Sequence, residues 1–353
     1  MDKIFSDKIN LLKALAILVV VSGHLEFSLI PMFPPYSFQV MVFFFIAGIL
    51  FNNKYGFFEY LKRRSKSLLL PYFLYAAFYL GLTAVAVPVI GKFWGMPITF
   101  KNELLMPFLT GHQLDLISPL WFVPSLFITL VIYKVFSCIK ISDTIKLFIY
   151  LIFALAAIQL QSYASDIHIL WLLRSAFSLF FVHLGYMYKT KIAETPIKER
   201  LFSPKIFFAI VILQSILWLT NKDFTPMDGV GLHFLLVWGQ YNNPIVPILT
   251  SLTGIWMCLF IVDILYERVK DISFIKKIGQ NSYHIMANHL LVFNIITYTM
   301  LFIKGIPFDI KNGADIYWFY FPLKTTYFYF VAGIILTVYT GELLKLIRKK
   351  LPF

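Results

Sequence analysis

Long apolar runs alternate with short polar stretches along the whole 353-residue chain. A helix of about 20 apolar residues is long enough to cross the hydrocarbon core of a bilayer. The pattern predicts an all-α fold, a polytopic membrane bundle of about ten transmembrane helices. The predicted spans are residues 9–27, 36–53, 67–90, 118–138, 146–163, 168–188, 205–220, 244–265, 282–303 and 326–344.

Composition supports a membrane protein without a soluble domain. The chain is 59% hydrophobic and 14% charged, with a mean hydropathy of +0.77, whereas a soluble domain is about a quarter charged. The longest loops are 91–117, 189–204 and 221–243, and no glycine motif of a nucleotide-binding cassette is present. Residues 1–353 are therefore predicted to form a single integral-membrane domain. No internal repeat is visible, which disfavours an inverted-repeat transporter.

The net charge of +13 is distributed as a topology signal, so it does not indicate a nucleic-acid partner. When the charges are sorted by alternate sides of the spans, 24 of the 31 Lys and Arg residues fall on the side of the N-terminus. Cytoplasmic loops carry such an excess, so both termini are predicted to be cytoplasmic. The first ten residues run into the first apolar segment without a cleavage site, which indicates a retained first span. The opposite side has Lys92, Lys101, Lys222, Lys304, Lys311 and Lys324.

Lys13 and His24 interrupt the first predicted span. A lysine within the hydrocarbon costs about 2.5–3.5 kcal/mol on insertion scales, so its presence needs a reason. The two residues are eleven positions apart and point the same way on a helix, separated by roughly 16 Å. His24 is either an interfacial histidine that meets lipid headgroups or a general base in a water-accessible cavity. Glu26 points elsewhere on a continuous helix, so it is not a predicted partner of His24 unless the helix ends first.

Two further groups of cations have alternative interpretations. Arg63, Arg64 and Lys66 crowd the predicted cytoplasmic end of the third span. They either anchor the helix by the positive-inside rule or bind the phosphates of an anionic cofactor. Arg174 lies within the sixth span, where a cation faces a partner or a cavity far more often than lipid. Its partner is predicted to be another span, a substrate anion or water.

Other polar and aromatic residues are weaker candidates. Gln39 lies near the level of His24, and Trp121 is either an aromatic-belt residue or a surface for sugar stacking. His289 is either a helix-packing polar residue or part of a site. His284 and His289 do not share a helix face, so a metal site from this pair is not predicted. Cys138 and Cys258 lie in apolar runs and indicate neither a disulfide framework nor a metal site.

Five segments in order carry a resemblance to a known family. They include a Lys13 to Gly23-His24 pattern, an apolar run that ends at Ala47-Gly48, where close helix approach is expected, and a basic run that ends at Pro71-Tyr72. The segments are residues 10–24, 37–48, 63–72, 120–124 and 278–289. In this ordered set the chain resembles acyltransferase family 3. It most resembles the branch of fucose 4-O-acetylase-like or polysaccharide O-acetyltransferases.

The resemblance implies an enzyme of the bacterial cytoplasmic membrane that uses acetyl-CoA and no metal. The donor would bind from the cytoplasm, and the acetyl group would pass to a hydroxyl of an extracytoplasmic or lipid-linked surface glycan. His24 would be catalytic. The residues expected to bind the donor are Lys13, Arg63, Arg64 and Lys66, and those expected to bind the acceptor are Gln39, Trp121, Arg174 and His289.

Three positions depart from the pattern of that branch. Asn10 replaces an aspartate, Gln39 replaces a histidine, and Ser67 replaces an arginine. Gln39 cannot act as a base, although it can orient a substrate. These departures keep open a family member with only a binding role. A rival from another class is a glycan exporter or flippase, which would need a wide polar cavity and no phosphate site for coenzyme A.

Overall fold

The computed structural model describes residues 2–90, 99, 101–111, 115–220, 232, 234–241, 243–306, 319 and 322–350. Parts of the predicted loops 91–117 and 221–243 lie outside these residues, as do Lys92, Lys222 and Lys311. Apart from one isolated bridge between Leu235 and Gln240, the described residues form helices, turns and irregular segments. The predicted all-α fold is confirmed in this part of the chain.

The α-helices follow the predicted apolar segments closely. Within the described ranges they are α1 (Lys3–Gly23), α2 (Gln39–Ile49), α3 (Phe57–Arg64), α4 (Leu70–Ile90), α5 (Met106–Leu109), α6 (Phe122–Ser137), α7 (Asp143–Gln159), α8 (Ile167–Met187), α9 (Ile197–Leu201), α10 (Pro204–Thr220), α11 (Val246–Val269), α12 (Ser273–Gln280), α13 (Ser282–Ile303) and α14 (Pro322–Lys350). A π-helical turn, Ser65–Leu69, joins α3 to α4, and a 3₁₀ segment, Asp115–Trp121, leads into α6.

Six helices of the described chain are long and apolar enough to cross a membrane. They are Phe57–Val85, Leu116–Ser137, His168–Ile192, Val246–Val269, Ser282–Ile303 and Lys324–Ile347. Two apolar helices, Gln39–Ile49 and Pro204–Thr220, are shorter. The 11-residue α2 rises only about 16 Å, so it is shorter than the predicted span 36–53. These apolar helices indicate a membrane protein. The count of ten spans and the cytoplasmic position of both termini stay predictions.

Helix α1 lies at the centre of the bundle and contacts α2, α11, α12, α13 and α14. One face of α1 is buried along its length, from Ile9 to Gly23. An ion-pair cluster holds its first turns, because Asp263 of α11 accepts from Lys8 at 2.7 Å and from Lys198 at 2.8 Å. Contacts with these five helices and the ion-pair cluster therefore hold α1 in place. We refer below to the His24 end and the Lys13 end of the bundle.

Helices α2 and α8 cross at two glycines. A Cβ atom added to Gly48 would lie 1.8 Å from the carbonyl oxygen of Val182, and one added to Gly185 would lie 1.9 Å from that of Phe45. The backbones therefore touch, as small residues permit at helix interfaces in membranes. The predicted close approach at Ala47-Gly48 is confirmed, and it fixes α2 against α8.

We expect Gly48→Ala to destabilise the protein by about 1–3 kcal/mol, because the added methyl group forces the two backbones apart. Gly81→Ala is the matched control, since nothing lies within 4 Å of its added Cβ. The control should be neutral or stabilising by about 0.5–1 kcal/mol through helix propensity. Thermal unfolding in detergent measures both variants, and equal melting temperatures would contradict the close crossing.

Candidate functional site

His24 stands at the point where α1 ends. The last helical residue is Gly23, and His24 retains a backbone hydrogen bond to Val20 at 3.2 Å. The chain then turns, and Glu26 adopts a φ of +59°. Because the helix ends first, Glu26 does not point away from His24 as a continuous helix would require. Both residues line the same cavity.

That cavity has a volume of about 510 Å³ and lies at the His24 end of the bundle. Its size matches sites for small molecules. Side chains of α1, α2, the loop 24–38, the 3₁₀ segment before α6 and the segment 234–238 form its wall. The aromatic members of that wall are Tyr36, Phe43, Trp121, Phe122, Phe234, Trp238 and Phe319.

Two rings flank His24. The hydroxyl of Tyr36 is 3.4 Å from Nδ1, with the rings edge to face. The ring of His289 packs on His24 with centroids 5.0 Å apart. Tyr36 has a φ of +57°, a conformation that is uncommon for a residue with a Cβ and costs about 1–3 kcal/mol. Its carbonyl oxygen accepts a hydrogen bond from the Phe234 amide at 2.9 Å, which holds this strained residue beside His24.

His289 is fully buried on α13. Its Nδ1 is 2.8 Å from the carbonyl oxygen of Ile285, and a carbonyl only accepts, so the hydrogen is on Nδ1. Within the described residues Nε2 has no hydrogen-bond partner. The predicted contact of His289 with substrate stays a prediction, and the structure adds that its ring lies against the candidate base.

Gln39 lines the cavity, but its amide also holds the start of α2. The side-chain oxygen accepts from the backbone amides of Ser37 at 2.9 Å and Phe38 at 3.1 Å. The side-chain nitrogen donates to Pro34 at 2.9 Å. Gln39 therefore fixes the loop that carries Tyr36. Its predicted role in substrate binding would use the remaining N–H group.

Arg174 is fully buried behind the cavity wall. Its Nη2 donates to the carbonyl oxygens of Phe108 at 3.2 Å and Leu109 at 2.9 Å, and its Nη1 donates to Val237 at 3.4 Å. The guanidinium carbon lies 5.9 Å from the centre of the Trp121 ring. Another span, a substrate anion or water was predicted as its partner, whereas these bonds go to backbone carbonyls of α5 and of the 3₁₀ turn Leu236–Trp238. Arg174 and Trp121 are brought to the His24 end, as substrate-binding candidates that stay predictions.

A second cavity, of about 200 Å³, lies at the Lys13 end. It is lined by Ser6, Asp7, Ile9, Asn10, Lys13, Leu50, Lys276 and Gln280. Asn10 donates to the carbonyl oxygen of Lys276 at 2.9 Å, and a Cβ atom on Gly279 would lie 2.1 Å from the Asn10 carbonyl oxygen. The first and last segments of the family resemblance thus meet here.

The basic run approaches this second cavity through Arg64. Its Nη2 is 3.4 Å from the carbonyl oxygen of Leu50, which lines the cavity. Arg63 instead pairs with Glu59 at 2.6 Å and stacks over Tyr55. Lys66 is exposed on the π-helical turn. The structure therefore brings Arg64 to the end of the bundle that holds Lys13, with Arg63 and Lys66 further out on the same segment.

A comparison with models of protein families identifies the family, because the match covers nearly the whole chain. The family model described as an acyltransferase domain matches residues 6–341, which include both cavities. The chain belongs to acyltransferase family 3. No curated protein and no solved structure matches it. Membership supports acyl transfer within the membrane as the general activity.

The two histidines of α13 have different surroundings in this acyltransferase. His284 Nδ1 lies 2.5 Å from the hydroxyl of Tyr75, and its Nε2 lies 3.0 Å from that of Thr340. His289 faces His24 instead, so the two rings occupy different faces, as predicted. Among the residues that the structure describes, no three His, Cys, Asp or Glu side chains are grouped so that they could hold a metal ion.

Sequence reasoning missed Tyr36, Glu26 and Lys276 as site residues of the acyltransferase. Glu26 precedes and Tyr36 follows the prolines of the short loop between His24 and Gln39, and that proximity was a usable signal. Lys276 gave no such signal, because it lies far along the chain from Lys13. Only the contact of α12 with α1 brings these two cations to one cavity.

Proposed function

We propose that this acyltransferase moves an acetyl group from acetyl-CoA to a hydroxyl of an extracytoplasmic or lipid-linked surface glycan. One observation carries the proposal: α1 presents Lys13 to a cavity at one end of the bundle and His24 to a larger cavity at the other. They are eleven positions apart, which corresponds to about 16 Å of helix. A donor held at the Lys13 end would extend its acyl group along α1 toward His24.

The chemistry assigned to His24 is general base catalysis. His24 takes the proton from the acceptor hydroxyl while that oxygen bonds to the acyl carbon. The carbon–sulfur bond of the thioester then breaks, and the departing thiolate receives the proton from His24. Acceptor ester and free thiol are the products, so atoms and charge balance. A neutral imidazole can make both proton transfers, because its unprotonated nitrogen takes a proton and the imidazolium gives it back.

Donor binding is assigned to the cations of the Lys13 end. Lys13, Arg64 and, further out, Arg63 and Lys66 would contact the phosphates of coenzyme A, since guanidinium and ammonium groups are the usual partners of phosphate. The positive-inside distribution supports a cytoplasmic location for this end. In that orientation the cavity with His24 opens toward the extracytoplasmic side of a bacterial cytoplasmic membrane.

The wall of the larger cavity favours a sugar acceptor over the exporter alternative. Tyr36, Trp121 and Trp238 offer flat apolar faces beside the carboxylate of Glu26, a combination that suits the C–H faces and hydroxyls of a sugar ring. An exporter would need a wide polar path for a whole glycan. The cavity of about 510 Å³ has instead the volume expected for one small ligand.

Mass spectrometry of the host's surface glycan, with and without the gene, tests the function. We expect loss of the mass of one acetyl group per modified unit when the gene is deleted, and its return with the plasmid-borne gene. Purified protein in liposomes with isotope-labelled acetyl-CoA tests the donor directly. A glycan that keeps its acetyl groups but stays inside the deletion strain would support export instead.

We expect Arg64→Ala to weaken acetyl-CoA binding by about tenfold, because one charge-assisted contact to phosphate contributes roughly 1.5 kcal/mol or more. Lys140→Ala is the control: it removes an exposed cation from the same predicted face of the membrane. Calorimetry in detergent measures both affinities. Equal affinities for wild type and Arg64→Ala would remove Arg64 from the donor site.

A further inference from the structure

His289 carries a buried acceptor atom, and its ring packs on the ring of the candidate base. Its Nδ1–H is engaged by the Ile285 carbonyl at 2.8 Å, which leaves the lone pair on Nε2. That atom has no hydrogen-bond partner among the residues described, and the side chain is fully buried. A buried polar atom without a partner destabilises the folded protein. A hydrogen bond that Nε2 accepts during the reaction would satisfy this atom.

The surroundings of His24 place a matching donor nearby. When the Tyr36 hydroxyl donates to Nδ1 of His24, at 3.4 Å, the neutral ring carries its hydrogen on Nε2. The ring of His289 packs on His24 with centroids 5.0 Å apart and planes inclined by 43°. Tyr36 and His289 therefore favour the same arrangement of hydrogens on His24.

We propose that His289 is a positioning residue that accepts the Nε2–H of His24. Nδ1 is then the base, and the acceptor hydroxyl takes the place of the Tyr36 hydroxyl at its single lone pair when substrate binds. The proposal rests on the proposed acyl transfer. His24 Nδ1 takes the proton of the acceptor hydroxyl and later gives it to the departing thiolate. The Nε2–H stays on His24 throughout. Catalytic hydrogen bonds are often long without substrate and shorten in the reacting complex.

Other polar residues of α13 are already engaged. His284 contacts Tyr75 and Thr340, and Asn288 accepts a hydrogen bond from the Tyr79 hydroxyl at 3.1 Å. The titratable groups that line the cavity with His24 are Glu26 and Tyr36, both from the loop after α1. In the described part of α13, His289 combines a ring that packs on His24 with a nitrogen that has no hydrogen-bond partner.

Helix α13 itself suggests a variant that removes only the acceptor atom. Asn288 and Asn294 each donate from Nδ2 to the carbonyl four residues earlier, at 2.8 and 3.0 Å. His289→Asn should keep the same bond to Ile285 but cannot reach His24. His289→Gln carries an acceptor at the position of Nε2. The two variants therefore separate the local helix contact from the contact with His24.

Purified wild type, His289→Asn and His289→Gln should be compared in a liposome assay with labelled acetyl-CoA. We expect His289→Asn to lower kcat by about 10- to 100-fold, the usual effect of losing a residue that orients another. The KM for acetyl-CoA and the melting temperature should stay near those of wild type. His289→Gln should recover a large part of kcat. A kcat of His289→Asn within threefold of the wild-type value would overturn the proposal. Equal losses of kcat in both variants, together with lower melting temperatures, would overturn it as well.

Nitrogen-15 NMR of labelled histidine gives a readout that does not need turnover. The signals of His24 are assigned by comparison with His24→Gln. We expect wild-type His24 to carry its hydrogen on Nε2 and His289→Asn to show a mixture of both forms. An unchanged His24 signal in His289→Asn would refute the contact. If wild type transfers no acyl group, the proposed function fails, and the NMR comparison still decides the contact of His289 with His24.

Discussion

His24→Ala is expected to lower acyl transfer by about a thousandfold or more, within the range of 10²–10⁴ for the loss of a general base together with its positioning effect. The variant leaves the acceptor hydroxyl without a group to take its proton, while Lys13 and Arg64, the residues proposed to bind the donor, are unchanged. The fold should persist, because His24 follows the last helical residue and is only half-buried at the cavity. Acetylation of the surface glycan and turnover of labelled acetyl-CoA measure the loss.

His168→Ala is the matched control for His24→Ala. It removes an exposed histidine from the first turn of α8, away from both cavities. We expect normal acetylation and an unchanged melting temperature. Full acetylation of the glycan by His24→Ala, with the protein present in the membrane at the normal level, would exclude His24 as the base.

Much of the helical framework could be predicted because it depends on local hydrophobic length. Apolar runs of spanning length produce helices wherever the chain enters hydrocarbon, and each predicted segment contains a helix in the described residues. The close helix crossing at Gly48 could also be predicted from local sequence, because small residues allow two backbones to touch. The family resemblance, which depended on ordered short motifs, is confirmed by the match over residues 6–341.

The site could be predicted only in part because its contacts join distant segments. His24 and Lys13 stood out by their cost in a membrane. The neighbour of His24 on α13 could not be found in that way, since 265 positions separate it from His24 and helix packing alone brings the two rings together. The end of α1 was equally hidden, because a helical projection assumes a continuous helix. The amide of Gln39 shows a third limit: its residue type indicated a polar contact without showing that the contact is with its own backbone.

Arg174→Met is expected to destabilise the protein by about 3–5 kcal/mol, because three carbonyl oxygens lose a charged donor and each buried acceptor without a partner costs about 1–3 kcal/mol. Met fills a similar volume but donates no hydrogen bond, so the carbonyl groups of Phe108, Leu109 and Val237 lose their donor. Activity should fall with stability, because Gly111, Trp121 and Val237 all line the cavity. Gly111 lies directly against the guanidinium, since an added Cβ would be 2.8 Å from Arg174 Nη1.

Arg174→Lys separates the geometry of this cluster from its charge. A single ammonium cannot bond the segment of Phe108 and Leu109 and the segment of Val237 together, whereas the guanidinium fork does. We therefore expect an intermediate melting temperature and a loss of transfer close to that of Arg174→Met. Arg200→Met, which alters an exposed arginine of α9, should match wild type in fluorescence-detected thermal unfolding and in transfer. Arg174 acts through the two wall segments that it joins, Phe108–Leu109 and Val237. A fully active Arg174→Lys enzyme would show that the cavity wall does not need the guanidinium to contact both segments.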